Sequence, residues 1–95
     1  MPEMSFRIRW PDASEASYYS PSLIVEDFLV PGETLPLPEF LTRAVEALGI
    51  ASDRVAQKYG FPCSRAQASV AAINQAATKF ADLPDATIKI LEFSQ

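Results

Sequence analysis

A chain of 95 residues that is 48% hydrophobic and 11% aromatic has material for one modest core and is too apolar to stay disordered. Eight bases against twelve acids, with no Lys/Arg block, leave no electrostatic footprint for a phosphate backbone, so no nucleic-acid partner is expected. The single cysteine excludes an intrachain disulfide framework and points to a reducing compartment. The opening MPEMSFRIRW carries charge where a secretory leader needs an apolar run. Leu23-Ile24-Val25 and Phe28-Leu29-Val30 are too short to span a bilayer. The expectation is one cytoplasmic domain over residues 1–95 with no membrane partner.

Residues 4–10 alternate, with Met4, Phe6, Ile8 and Trp10 on one side and Ser5, Arg7 and Arg9 on the other. Period-2 alternation predicts a strand with one buried face. Pro11-Asp12-Ala13-Ser14 predicts a turn and Glu15–Tyr19 a returning strand. Ser20 as N-cap and Pro21 behind it predict a short helix ending near Val30, where Pro31-Gly32 stops it. ETLPL at 33–37 is expected to be extended, because a residue before proline is pushed out of the α region.

A main helix is predicted from Pro38 to Tyr59, with Leu41, Ala44, Val45, Leu48, Ala51 or Ser52, and Val55 as its inward stripe. Gly49 within it suggests close packing or a bend. A third helix is predicted over Ser64–Phe80, with Ala66, Val70, Ile73, Ala77 and Phe80 inward, then a loop at 81–85 and a last strand at Thr87–Phe93. The order β-β-α-α-α-β predicts an α+β fold, a three-stranded, mainly antiparallel sheet with helices packed on one face.

The stretch from Asp53 to Gln67 concentrates the reactive side chains. Tyr59 ends the main helix, and Gly60 stands where a left-handed residue is needed. Pro62 blocks continuation, and Ser64 with Gln67 has the spacing of a capping box. Cys63 is thereby placed at a helix start.

These residues also form a recognisable pattern. MPEM-x-F-x-I-x-W-P-D, Tyr19-Ser20-Pro21-Ser22-Leu23, Pro31-Gly32, Glu39-Phe40, Ala47-Leu48, Ile50-Ala51-Ser52-Asp53-Arg54-Val55, Lys58-Tyr59-Gly60-Phe61 and Cys63-Ser64 follow one another in fixed order. The whole chain resembles the small bacterial nitrogen-starvation response proteins. That resemblance implies a place in nitrogen metabolism, alongside a carbon–nitrogen hydrolase of the nitrilase family and a radical-SAM protein. It brings no catalytic residue and no defined activity with it.

Candidate chemistry is sparse. Cys63, with Lys58 and Arg65 nearby in sequence, reads as a nucleophile or redox centre, or as a small apolar filler at a helix entry. The chain has no histidine to serve it as a base. Arg54 and Lys58, one helical turn apart, offer a fork and a point charge for a carboxylate or phosphate, or form an ordinary solvated face. Tyr59 and Tyr19 are further candidates for lining a ligand pocket. No acid, cysteine and histidine spacing suits a metal, and three isolated glycines make no phosphate loop, so neither metal nor cofactor is expected.

The outer sheet face is the stronger candidate for recognition. Arg7 and Arg9 lie on it, and Lys89, Leu91 and Phe93 join them if Ile88 and Ile90 enter the core. A mixed apolar and basic surface suits a protein partner or a homodimer. A β-bulge in the last strand would instead turn Leu91 and Phe93 inward and leave the face polar. Two functional classes follow: a non-enzymatic interaction partner, or a small enzyme or ligand-binding subunit using Cys63 near Arg54, Lys58 and Tyr59.

Overall fold

The computed structural model describes residues 2–83 and 85–95. Its centre is β1 (Met4–Arg9), which pairs antiparallel with β2 (Glu15–Ser20) on one side and β4 (Thr87–Ser94) on the other. A fourth strand, β3 (Thr34–Pro36), pairs with the far edge of β4, so the order is β2-β1-β4-β3. The fold is α+β with an antiparallel sheet, of four strands where three were expected. The extended ETLPL segment is what supplies the additional strand. Its one proline, Pro36, suits an edge position, where a missing N–H interrupts no ladder.

The alternation in β1 has the predicted sense. Met4, Phe6, Ile8 and Trp10 are buried, while Arg7 and Arg9 are exposed. The turn from β1 to β2 is held by Trp10 N–H donating to the Ser14 carbonyl at 2.7 Å and by Asp12, whose Oδ1 accepts from Ser14 N–H at 3.0 Å and Ser14 Oγ at 2.6 Å. Those two bonds hold the Asp12 carboxyl below its ordinary range. Ala13 takes a positive φ of 72° to complete the turn.

Two α-helices cover one face of the sheet: α1 (Leu37–Tyr59) and α2 (Ser64–Ala77). The short helix expected between Ser20 and Val30 is instead a five-residue 3-10 helix, Leu23–Asp27. Ser20 still belongs to β2, and its Oγ accepts from Ser22 N–H at 3.3 Å while donating to the Ser22 carbonyl at 2.7 Å. That local loop of bonds turns the chain first, so Ser22 rather than Ser20 is the cap, accepting from Ile24 N–H at 3.3 Å. The predicted end of α2 is likewise divided, with Thr78–Phe80 tightening into a 3-10 turn. Pro84, within the loop expected at 81–85, lies outside the described residues.

The inward stripe of α1 is rotated from the expected one. Phe40, Ala44, Ala47, Leu48 and Ala51 are buried, whereas Val45 is exposed and Leu41 and Val55 are only half-buried. The helix must serve the sheet and α2 together, which brings Phe40 and Ala47 inside. In α2 the small Ser69 is buried and its hydroxyl donates to the Tyr19 carbonyl of β2 at 2.8 Å, tying the helix to the sheet edge.

Gly60 ends α1 as expected, with φ 88° and its N–H donating to the Ala56 carbonyl at 2.8 Å. The next start differs. Cys63 is the N-cap, with extended φ and ψ and no side-chain capping bond, and Ser64 is already the first helical residue. The Ser64–Gln67 capping box does not form, because a capping residue must itself lie outside the helix. Gly49 is neither tightly packed nor in an unusual conformation: a Cβ there meets nothing within 4 Å.

Three stability outcomes follow. Gly60→Val should cost about 1–2 kcal/mol through backbone strain alone, since a side chain at Gly60 also meets no atom within 4 Å. Ser64→Ala should stay within about 0.5 kcal/mol of wild type, and Gly49→Ala should gain up to about 1 kcal/mol. Urea unfolding measures all three; a capping-sized loss at Ser64 would contradict the position of the helix start.

Candidate functional site: a basic aromatic corner

The predicted recognition face and the predicted chemical corner fare differently. On the outer sheet face, Arg7 sits 2.8 Å from Glu92 and 3.7 Å from Glu15, and Arg9 lies 3.0 Å from Glu15. Both arginines are therefore compensated by carboxylates of the neighbouring strands. Between Arg7 and Ile8 the β1–β4 register shifts by one residue, leaving Leu91 as the extra residue of a bulge. Phe93 then falls opposite Phe6 and packs against the core, and Leu91 is half-buried at the bulge. The mixed apolar and basic surface expected from Leu91, Phe93, Arg7 and Arg9 is thus corrected to a polar, ion-paired one. Lys89 is exposed on this face, opposite Arg9.

At the other site, the C-terminal end of α1, the turn at residues 60–63 and the start of α2 project a set of aromatic and cationic groups. Tyr59 is 52% exposed and Phe61 is 66% exposed, so neither contributes much to folding. The left-handed Gly60 and the Gln67 N–H to Cys63 carbonyl bond of 3.2 Å anchor the turn that carries them. Lys58 Nζ stands 5.4 Å from the centre of the Tyr59 ring. The Arg65 guanidinium lies 3.7 Å from the centre of the Tyr19 ring, reaching from α2 over the edge strand. Arg54 Nη1 donates to Ser22 Oγ at 3.1 Å, and the two residues line a cavity of about 270 Å³ with Pro2 and Leu23.

Tyr19 links this corner to the N-terminal segment. Its hydroxyl donates to Glu3 Oε2 at 2.9 Å. Burial raises its pKa first, and the bond to Glu3 and the negative charge of that carboxylate raise it further, against the opposing field of Arg65. Tyr18, facing the core 5.8 Å from Phe6, is raised by burial as well. Cys63 is half-buried. Among the described residues no group of three or more metal-ligating side chains gathers.

Of the sequence candidates, Arg54, Lys58 and Tyr59 share the end of α1, and Tyr19 is joined to the corner through Arg65. Phe61 and Arg65 were not among the predicted site residues. A sequence signal for Arg65 exists: between Asp53 and Asp82 the chain has four bases and no acid.

Fold and surface together define a small α+β protein with one helix-covered sheet face and a basic aromatic corner. A family model described as nitrogen starvation-induced protein NitG matches residues 5–93, so the chain belongs to that family. Neither the curated proteins nor the solved structures gave a match. Among the described residues, no helix is long and apolar enough to cross a membrane.

The phenols supply a pH-dependent prediction. Folded-state values above the ordinary 10.0 mean that each tyrosine contributes stability that is complete below about pH 10 and is lost as pH rises through the folded value. Tyr18→Phe, which keeps the ring against Phe6, should flatten the fall in Tm over that alkaline range. Equal slopes in wild type and variant would show that Tyr18 titrates as an open phenol.

Proposed function

We propose that this member of a nitrogen starvation-induced family acts as a non-enzymatic protein-interaction partner in the starvation response, in the cytoplasm and in a nitrilase-associated pathway of nitrogen metabolism. The chain forms one domain, and its docking surface is the 59–65 corner. The observation that carries this reading is the exposure of Phe61 and Tyr59 on an anchored turn. Large aromatics held in water on a fixed backbone make little folding contribution, while buried aromatics dominate the energetics of interfaces. The pathway assignment rests on the resemblance to the family.

A second reading places a ligand or a reaction at the same corner, with Cys63 as nucleophile near Arg54, Lys58 and Tyr59. The half-buried thiol at a helix N-cap favours it, and the lack of any histidine weighs against it. The outer sheet face, with Lys89 beside the paired Arg7 and Arg9, is the other docking surface to compare.

Complementation of a nitrogen-starvation phenotype discriminates among these. Phe61→Ser, at an exposed position, should fold normally and fail to complement. Arg7→Gln with Arg9→Gln should complement, and so should Cys63→Ser. Failure of a folded Cys63→Ser protein alongside full rescue by Phe61→Ser would make the corner a chemical site. Failure of the double glutamine variant alone would return the interaction to the sheet.

A further inference from the structure

Charge in this protein is segregated. Residues 54–81 hold Arg54, Lys58, Arg65 and Lys79 and no acid, while the rest of the chain carries four bases and all twelve acids. In an acidic protein of net charge −4, cations are expected to find carboxylates. Arg7, Arg9 and Arg43 do, Arg43 with Glu39 at 2.6 Å and Glu33 at 3.3 Å. The corner cations do not. Among the described residues no carboxylate lies within salt-bridge distance of Arg54, Lys58 or Arg65, even though Asp53 adjoins Arg54 and Glu3 reaches the hydroxyl of Tyr19.

Each of the three is nevertheless held. A serine hydroxyl positions Arg54, the Tyr59 ring lies beneath Lys58, and the Tyr19 ring beneath Arg65. A neutral hydroxyl or an aromatic face orients a cation without cancelling its charge. The side chains have thus lost part of their rotamer freedom before any ligand arrives, which lowers the cost of binding. Phe61, exposed on the turn between Lys58 and Arg65, offers an apolar anchor beside them in the chain.

We infer that the corner docks an acidic segment of a partner protein, one that carries carboxylates interspersed with apolar side chains. This rests on the interaction reading above and adds to it the chemistry of the partner. Arg54 and Arg65 present forks that match carboxylates, Lys58 adds a point charge, and Phe61 takes the apolar residue. Complementary charge of this kind sets association rate and partner choice, so salt should weaken the complex strongly.

The test uses the full chain and a fluorescein-labelled peptide of alternating glutamate and leucine, followed by anisotropy. Binding should weaken roughly tenfold or more between low and physiological salt, where the Debye length falls to about 8 Å. Lys58→Glu with Arg65→Glu should abolish it, and the milder Lys58→Gln with Arg65→Gln should weaken it about tenfold, with unfolding curves confirming that both variants fold. Arg7→Gln with Arg9→Gln should bind as wild type. Equal binding of a lysine–leucine peptide, or indifference to both corner variants, would overturn the inference. Displacement by oligothymidylate at equal charge would also overturn it, by showing a general polyanion surface. So would salt-sensitive self-association in sedimentation, by making the occupant a second copy. If Phe61→Ser fails to complement while the charge variants bind and complement normally, the interaction reading stands and only the acidic partner falls.

Discussion

The Trp10 indole closes this fold. It lies stacked on Phe80 at 5.7 Å between ring centres and edge-on to Phe40 at 6.1 Å, so the end of the central strand is clasped by the start of α1 and the turn that follows α2. Aromatic pairs of this geometry add about 0.5–1.5 kcal/mol each beyond the area they bury. Their position matters more than that sum. Trp10 directly follows β1 and continues its inward side, and its backbone N–H also closes the turn to β2. A one-residue slip of β1 would lose the indole contacts, the turn and the burial of Met4, Phe6 and Ile8 together. The helices consequently have one register in which to pack.

From that clasp the rest of the layout follows. With α1 starting near Trp10, its 23 residues carry the chain to the opposite end of the sheet, where Ser69 ties α2 to β2 and Tyr19 meets Arg65. The corner between the helices is thrust outward there because Gly60 reverses the backbone without burying its neighbours. On the sheet's outer face Arg7 and Arg9 are compensated by Glu15 and Glu92 of the neighbouring strands. The corner leaves its charges open. The exposed groups of the corner lie outside the core, so substitutions there should cost the fold little.

Much was legible from the residues alone. Alternation in β1 told its buried side, because a strand's side chains repeat every two residues whatever surrounds it. The C-terminus of α1 at Tyr59–Gly60 was legible because only a left-handed residue ends a helix in that way, and the α+β class followed from the order of periodicities. What propensity left undecided was settled by competition between neighbours. Ser20 and Ser64 both have the chemistry of caps, yet Ser20 is held in β2 by a local loop of bonds, and Ser64 is taken into the helix when Cys63 becomes the last extended residue.

The remaining features belong to the tertiary structure. ETLPL could become a strand only once β4 offered an open edge to pair with. The switch of apolar parity from Ile88 and Ile90 to Leu91 and Phe93 left a bulge open as an alternative, and matching β4 to β1 realises it at Leu91, which turns Phe93 toward the core and makes the sheet face polar. Which side of α1 is buried depends on two surfaces at once, the sheet and α2, and a single stripe of apolar residues cannot encode both. Whether a cation is compensated is likewise a matter of what the fold brings near it. That bases gather between Asp53 and Asp82 is plain in the residues alone; packing placed a hydroxyl and two aromatic rings, rather than carboxylates, against three of them, and such neutral neighbours orient a charge without cancelling it.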